Sequence, residues 1–429
     1  MSAVRRNIRP MASPRSVSRF RFGFLKLLPL IGILLSSSCR TPEPPPAAKT
    51  VWHQDRLREL DAALSTAVSS NQAPGLVLWL EHRGSVHMAS VGNRSVEPAL
   101  ETMTMDTIFD AASLTKVLAT APAVMKLVER GQVDLSKPVG IYIPEFTGGG
   151  RESITVGHLL THTSGLPPGL TRSDAWKGPD EAIARACREP LMDPIGSRFR
   201  YSDINFILLG ELVHRVSHRT LDRFCAEEFY GPLGMKDTGF RPMAPGSVLP
   251  GTDRDLARVA PTERLKTGVL RGVVHDPTSR RMGGVSGHAG LFITASDLAR
   301  FCRMMLNGGE LEGRRVFRPE TVKAMTSVHS PEGLPHRGWG WDIDSPYAGP
   351  RGSRFPLGSY GHSGWTGTSV WIDPFSQSFV ILLSNRNHPT EDGNVIPLRR
   401  QVGTLAAQAI ADFDFDHVPG ALAPAPAAK

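Results

Sequence analysis

Strand-forming sequence stands near both ends of this 429-residue chain, and the sequence between reads mostly as helix and loop. Near the start, "GLVLWLEHRGSVHMASVG" (75–92) has two runs of branched and aromatic residues around Arg83-Gly84, which predicts a hairpin. Near the end, "GTSVWIDP" (367–374) and "SFVILLSN" (378–385) are short apolar runs bounded by turn residues, the pattern of buried strands. "SITVGHLLTHTSGL", "NFILLGELVHRVSH" and "ASDLARFCRMMLNGG" fill much of 152–300. "DRLRELDAALSTAVSS" carries Leu57, Leu60, Leu64 and Val68 along one helical face, and "PLRRQVGTLAAQAIADF" predicts a closing helix. The fold class expected is α+β: one antiparallel sheet built from both chain ends, with an inserted, mainly helical lobe. A cleft between two such lobes is the expected place for a site.

The charge is uneven. The formal net charge is +8, but seven of the 49 basic residues, and no acidic residue, precede Cys39. Without that segment 42 basic residues face 41 acidic ones, which removes any electrostatic ground for a nucleic-acid partner. The basic start runs into "FGFLKLLPLIGILLSSSC", an apolar stretch of signal-peptide length ending at a cysteine. Residues 1–39 are therefore expected to be a signal peptide of the lipoprotein type, with lipidation at Cys39. "SSSC" departs from the preferred lipobox in placing Leu35 one position early. The expected location is the cell envelope, with a lipid anchor in a membrane; the absence of Asp after Cys39 points to the outer one. "RTPEPPPAAKT" (40–50) reads as a semi-rigid linker, 51–415 as one folded domain, and 416–429 as a disordered tail. Only Cys187, Cys225 and Cys302 follow Cys39, an odd number suited to buried apolar positions and not to a disulfide framework.

"FDAASLTKVLATAPAV" (109–124) places Ser113 three residues before Lys116 at the start of a predicted helix over 111–130, with Asp110 as N-cap and Gly131 beyond its end. That spacing puts both side chains on one face, as a serine nucleophile needs if an amine is to take its proton. The lysine must be desolvated to be neutral, and "VLATAPAVM" offers few groups to solvate it. Pro122 is expected to kink the helix or to free the carbonyl of Leu118. Further on, "GSRFRYSDINFILLGEL" holds Tyr201-Ser202-Asp203, and "YGHSGWTGTSVWIDP" holds His362-Ser363-Gly364.

In order and separation these three segments resemble the Ser-x-x-Lys, Tyr-x-Asn and Lys-Thr-Gly motifs of the penicillin-recognising serine hydrolases, in the branch of class C β-lactamases, D-Ala-D-Ala carboxypeptidases and β-lactamase-like esterases. The resemblance covers roughly 55–410. It implies Ser113 as the acyl-accepting nucleophile, Lys116 as its activator, and Tyr201 as a second base that relays a proton to the leaving group. It also implies an oxyanion hole from the N–H groups of Ser113 and Trp365, with Ser363 and Gly364 on a strand beside the substrate. No metal or cofactor is implied.

Two positions depart from the motifs. Asp203 stands for an asparagine whose amide donates to the substrate, and a carboxylate cannot donate unless protonated. His362 replaces a lysine, so a permanent cation facing the substrate becomes a titratable group. Both weaken a β-lactamase reading. The expected activity is hydrolysis of a small ester or amide, with a D-Ala-D-Ala peptide of peptidoglycan second and a β-lactam third; the non-enzymatic alternative is a peptidoglycan-peptide binder. His158 and His162 have an i, i+4 spacing that can hold zinc, but "HLLTH" lacks a metalloprotease glutamate and reads as structural. "GGVSGHAG" reads as a tight loop near the cleft, with His288 as a lining residue and the role of His275 open.

Overall fold

The computed structural model describes residues 51–171, 176–247 and 255–423. The expected signal segment, Cys39 and the linker lie outside them, except that the folded region begins at Val51.

The central sheet has strands β1 (Gly75–His82), β2 (Ser85–Ser95), β3 (Glu101–Thr102), β4 (His336–Arg337), β5 (Asp342–Asp344), β6 (Tyr360–Ser363), β7 (Ser369–Asp373) and β8 (Ser378–Ser384). Their order is β4-β5-β6-β7-β8-β1-β2-β3, with every neighbour antiparallel. The first and last strands thus meet at the middle of the sheet, where Leu76 opposes Ser384 and Trp79 opposes Ile381. Arg83 and Gly84 have φ of 48° and 83°, so the β1–β2 loop takes the doubly left-handed form that matches strand twist.

Alternation along β1 divides the core. Leu76, Leu78 and Leu80 join Trp371, Val380 and Leu382 under two helices, α1 (Gln54–Ser69) and the closing helix (Ile396–Ala409), which bring Leu57, Leu60, Leu64, Val402 and Ala406. Val77 faces the other way, with Val370, Ile372, Ile381 and Leu383, into the larger cluster shared with the helical lobe. Cys187, Cys225 and Cys302 are free and buried.

The predicted helix over 111–130 is three pieces. Residues Ala112–Leu114 form a 3₁₀ turn, Lys116–Thr120 a π-helical turn, and only α2 (Ala121–Glu129) is regular. Asp110 is no N-cap of a long helix: it ends a short strand, and its carboxylate accepts from the Ala112 N–H at 2.8 Å. Pro122 falls in the first turn of α2, where its missing N–H costs little. The carbonyl it frees, Leu118 O, is taken by the Tyr230 hydroxyl at 3.2 Å.

Candidate active site

The nucleophile turn is fixed at both ends by polar side chains. Ala112 has φ of 47°, a left-handed conformation costly for a residue with a Cβ. Asp110 holds its N–H, and the Thr115 hydroxyl donates to its carbonyl at 2.6 Å. The Asp110 carboxyl also accepts from the His275 N–H at 2.7 Å; burial nonetheless pushes its pKa up. Phe109–Asp110 pairs with Leu291–Ile293, so the strand entering Ser113 lies beside the strand leaving the loop that carries His288.

Lys116 is fully buried. Its Nζ donates to Ser113 Oγ at 2.9 Å and to the His288 carbonyl at 3.0 Å, and lies 2.8 Å from Asp203 Oδ1. The expectation of a poorly solvated, neutral lysine is therefore overturned. Its polar partners come from segments far along the chain and not from its own helix. Burial works against its charge, but the Asp203 carboxylate and the Tyr201 oxygen outweigh it and hold its pKa above the ordinary lysine value.

Tyr201 precedes α3 (Asp203–Ser217) and stands beside both members of the pair: its ring centroid is 5.0 Å from Lys116 Nζ, and its phenol feels both Lys116 and Ser113. Burial raises its phenol pKa, with Lys116 opposing. Its ring stacks on His162, centroids 4.5 Å apart, and lies 6.0 Å from His362. His162 lies beyond the short helix Val156–Leu160, so it shares no helical face with His158, which instead completes a capping box with Thr155. The His162 Nδ1 accepts from the Ser202 N–H at 3.1 Å. Burial, with Arg337 and Lys116 nearby, drives the pKa of His162 well below its usual value.

β6 and the turn after it close the other side. His362 is buried, with Nδ1 2.9 Å from the Ser363 carbonyl. Burial, reinforced by Arg337 and Lys116, holds its pKa well below 6.5, so it is neutral at pH 7 and presents no cation. The turn is tied to the nucleophile segment by Thr366 Oγ1 donating to Asp110 O at 2.7 Å and Thr368 Oγ1 donating to Ala111 O at 3.0 Å. A Cβ on Gly364 would meet Thr368 Oγ1 at 2.2 Å and Ala111 O at 2.6 Å, so only glycine allows this approach. Arg399, from the closing helix, donates to the carbonyls of Gly364 and Thr368, and Arg386 donates to that of Trp365. The Gly364 carbonyl shares a peptide plane with the Trp365 N–H, so Arg399 sets where that N–H points. No acceptor among the described residues takes it. The Trp365 ring itself is 60% exposed, with Arg386 over one face and Glu391 bonded to its indole N–H at 2.6 Å.

Behind Lys116, His288 bonds through Nε2 to Asp276 at 2.8 Å and through Nδ1 to Ser286 at 2.8 Å. It thus lines the site by its carbonyl and not by a free ring. Asp276 is opposed by burial, but the His288 imidazole and the Ser279 N–H hold its pKa low. Asp203, Asp276 and His288 bring ligand-type atoms within 4.8 Å of one another. The Lys116 ammonium already sits against Asp203 there, which disfavours a metal cation by like-charge repulsion. His275 lies aside, 3.2 Å from Glu391.

Ser113, Lys116, Tyr201, Asp203, His362, Ser363, Gly364 and Trp365 are thus brought together from three distant segments. The sequence reading did not single out Arg399, Arg386, Arg337 or Asp276, and gave His162 no place here. Arg399 alone left a trace: it stands at i, i+3, i+7 with Val402 and Ala406 on the buried face of its helix.

A family profile described as "Beta-lactamase" matches residues 60–404. The chain belongs to the β-lactamase family. It is 34% identical over 325 residues to an Escherichia coli K12 protein named "Putative D-alanyl-D-alanine carboxypeptidase", covering 70% of this chain and 74% of that one. An Escherichia coli O157:H7 protein of the same name is 31% identical over 386 residues, 83% and 88% of the two chains. Among solved structures, a penicillin-binding protein homologue from Caulobacter crescentus has a TM-score of 0.66 at 24% identity, covering 82% of this chain and 97% of that one. EstCE1, titled a hydrolase with promiscuous acyltransferase activity, has a TM-score of 0.64 at 20% identity, covering 82% and 98%. Family membership and the arrangement around Ser113 make this protein a serine hydrolase.

Proposed function

We propose that the protein hydrolyses a small ester or uncharged amide through a covalent acyl-enzyme on Ser113. One observation carries this reading. A buried Lys116 lies 2.9 Å from Ser113 Oγ with the Tyr201 phenol beside both, while the facing position 362 is a neutral histidine. Ser113 Oγ attacks the carbonyl carbon, the N–H groups of Ser113 and Trp365 receive the oxyanion, and Tyr201 passes a proton to the leaving group. Water then attacks the acyl-enzyme and frees the acid. A substrate carboxylate beside position 362 would meet no cation, which favours esters and amides without one.

The second reading, a D-Ala-D-Ala carboxypeptidase acting on peptidoglycan peptides, is favoured by the names of the curated relatives. A β-lactam comes third. The test is steady-state turnover of p-nitrophenyl acetate, a D-Ala-D-Ala peptide and a chromogenic cephalosporin by the wild type and Ser113→Ala. Ester turnover above the other two, lost in the variant, supports the first reading; a preference for the peptide replaces it with the second. Activity surviving in Ser113→Ala refutes the acyl-enzyme.

We also propose export and lipid anchoring at Cys39, with the outer membrane as destination, on the sequence of residues 1–39. Among the described residues no helix is long and apolar enough to cross a membrane. Radiolabelled palmitate entering the wild type but not Cys39→Ser would support this, and equal labelling of both would end it.

A further inference from the structure

A protonated Lys116 donates to Ser113 Oγ at 2.9 Å and to His288 O at 3.0 Å, and its Nζ stands 2.8 Å from Asp203 Oδ1 as an ion pair. An ammonium so engaged cannot receive the Ser113 proton unless it gives one up. The His288 acceptor is an amide carbonyl, a very weak base. Ser113 is the group losing its proton. Tyr201 is a phenol held in its protonated form. That leaves Asp203. Its Oδ1 is buried, takes no hydrogen bond from any described residue, and faces the Lys116 ammonium as an ion pair at 2.8 Å.

We propose that Asp203 is the acceptor of the proton that leaves Ser113, through Lys116. As Oγ bonds to the substrate carbonyl carbon, its proton passes to Lys116 Nζ, and a proton already on Nζ passes to Asp203 Oδ1. The carbonyl π pair moves to the substrate oxygen. Before the step the charges are one ammonium and one carboxylate; after it they are one ammonium and one oxyanion, with Asp203 neutral. On collapse the carbon–leaving-group bond breaks and its pair departs with the leaving group. The proton returns from Asp203 to Lys116, and the one released there reaches the leaving group by way of the Tyr201 hydroxyl. Lys116 thus keeps a full positive charge beside the reacting oxygen throughout, which a neutral lysine could not supply. An asparagine at 203 could not hold the proton, so the departure from the family motif becomes the working feature. Asp203 acts through Lys116 and does not touch the substrate: it is a positioning residue that also stores a proton. The proposal rests on the Ser113 acyl-enzyme.

The surroundings set the resting state. Asp203 opens the 15-residue helix α3, whose N-terminal dipole favours a carboxylate. Lys116 and Tyr201 face it from the nucleophile side, and Asp276 and His288 face it from the loop behind, within 4.8 Å. His162, His362 and Arg337 complete the ring of titratable or charged groups around Lys116 and Tyr201.

The experiment is the pH profile of p-nitrophenyl acetate hydrolysis by the full chain, as wild type, Asp203→Asn, Asp203→Glu and Ser113→Ala, with a proton inventory in mixed H₂O/D₂O on the wild type. In the wild type the acid limb should lie well below that of the asparagine variant, because Lys116 need not lose its charge for the reaction to start. In Asp203→Asn, Lys116 must itself lose a proton, so the rate at pH 7 should drop ~100-fold and the acid limb move at least ~2 pH units upward. Asp203→Glu should restore most of both. The proton inventory should bow, as two protons in flight require. Asp203→Asn with an unmoved acid limb, whether active or dead, would overturn the proposal, as would a linear inventory. The inventory decides alone if the asparagine variant does not fold. Turnover by Ser113→Ala would instead overturn the acyl-enzyme.

Discussion

Replacing Arg399 by methionine should separate stability from activity. Arg399 is 9% exposed, and burial lowers its pKa from 12.5 to about 9. At ~1.4 kcal/mol per pKa unit, burying that charge costs roughly 5 kcal/mol, an order-of-magnitude figure. The group's folded pKa is depressed, so its unfavourable contribution is present at neutral pH and is relieved only as the pH rises above about 9. Against it stand the bonds to Gly364 O and Thr368 O, and bonds from a charged donor are worth about 1.5–3 kcal/mol each. These nearly cancel. Methionine removes the buried charge and fills much of the same volume, but leaves Gly364 O without its donor, at about 1–3 kcal/mol. Stability in urea should therefore change by no more than ~2 kcal/mol in either direction. Activity should not be spared, because the Trp365 N–H loses what orients it. Loss of one oxyanion donor costs about 10²–10³ in kcat, so a misdirected donor should cost 10- to 100-fold, with KM moving less than threefold. Chemical denaturation beside steady-state ester hydrolysis gives both quantities. A variant with kcat within threefold of wild type would refute the role given to Arg399; large destabilisation would refute the balance of terms.

Three further outcomes follow from the same geometry. Tyr201→Phe should lower kcat by about 10²–10⁴ with KM little changed, measured on p-nitrophenyl acetate, because the phenol is the proton-carrying group beside both Ser113 and Lys116. His362→Lys should raise kcat/KM at least ~10-fold for D-Ala-D-Ala peptide over uncharged ester, since each tenfold needs only about 1.4 kcal/mol and a cation is restored opposite a carboxylate; an unchanged ratio would show that position 362 does not meet that group. The depressed pKa values of His162 and His362 mean that the unfolded chain takes up protons near pH 6.5 that the folded chain refuses. Their stabilising contribution is present above pH 6.5 and is lost on acidification, so the urea midpoint should fall from pH 7 to pH 5, and fall less in His362→Gln.

The sequence determined what short-range chemistry can fix. Alternating apolar runs at 75–92 and 367–385 specified strands, a turn at Arg83-Gly84 specified the hairpin, and the leucine stripe of 55–70 specified a helix. The joining of both chain ends into one sheet was legible because apolar strands at each end need partners. The three motifs marked the residues that gather around Ser113. Local pattern misled at 111–130: helix propensity predicted one regular helix, whereas the bonds of Asp110, Thr115 and Tyr230 to its backbone hold a 3₁₀ turn and a π turn.

Only the tertiary structure decided the charge of the site, because charge depends on neighbours in space. Lys116 looked unsolvated along the chain, yet Asp203 and the His288 carbonyl reach it from far along the sequence and keep it an ammonium. His362 looked titratable and is held neutral by burial and by Arg337. Arg399 was not singled out along the chain, and packing carries it onto the carbonyl that aims the Trp365 N–H. A residue's type fixes which protons it can carry; the dielectric and the partners that folding places around it fix whether it carries them.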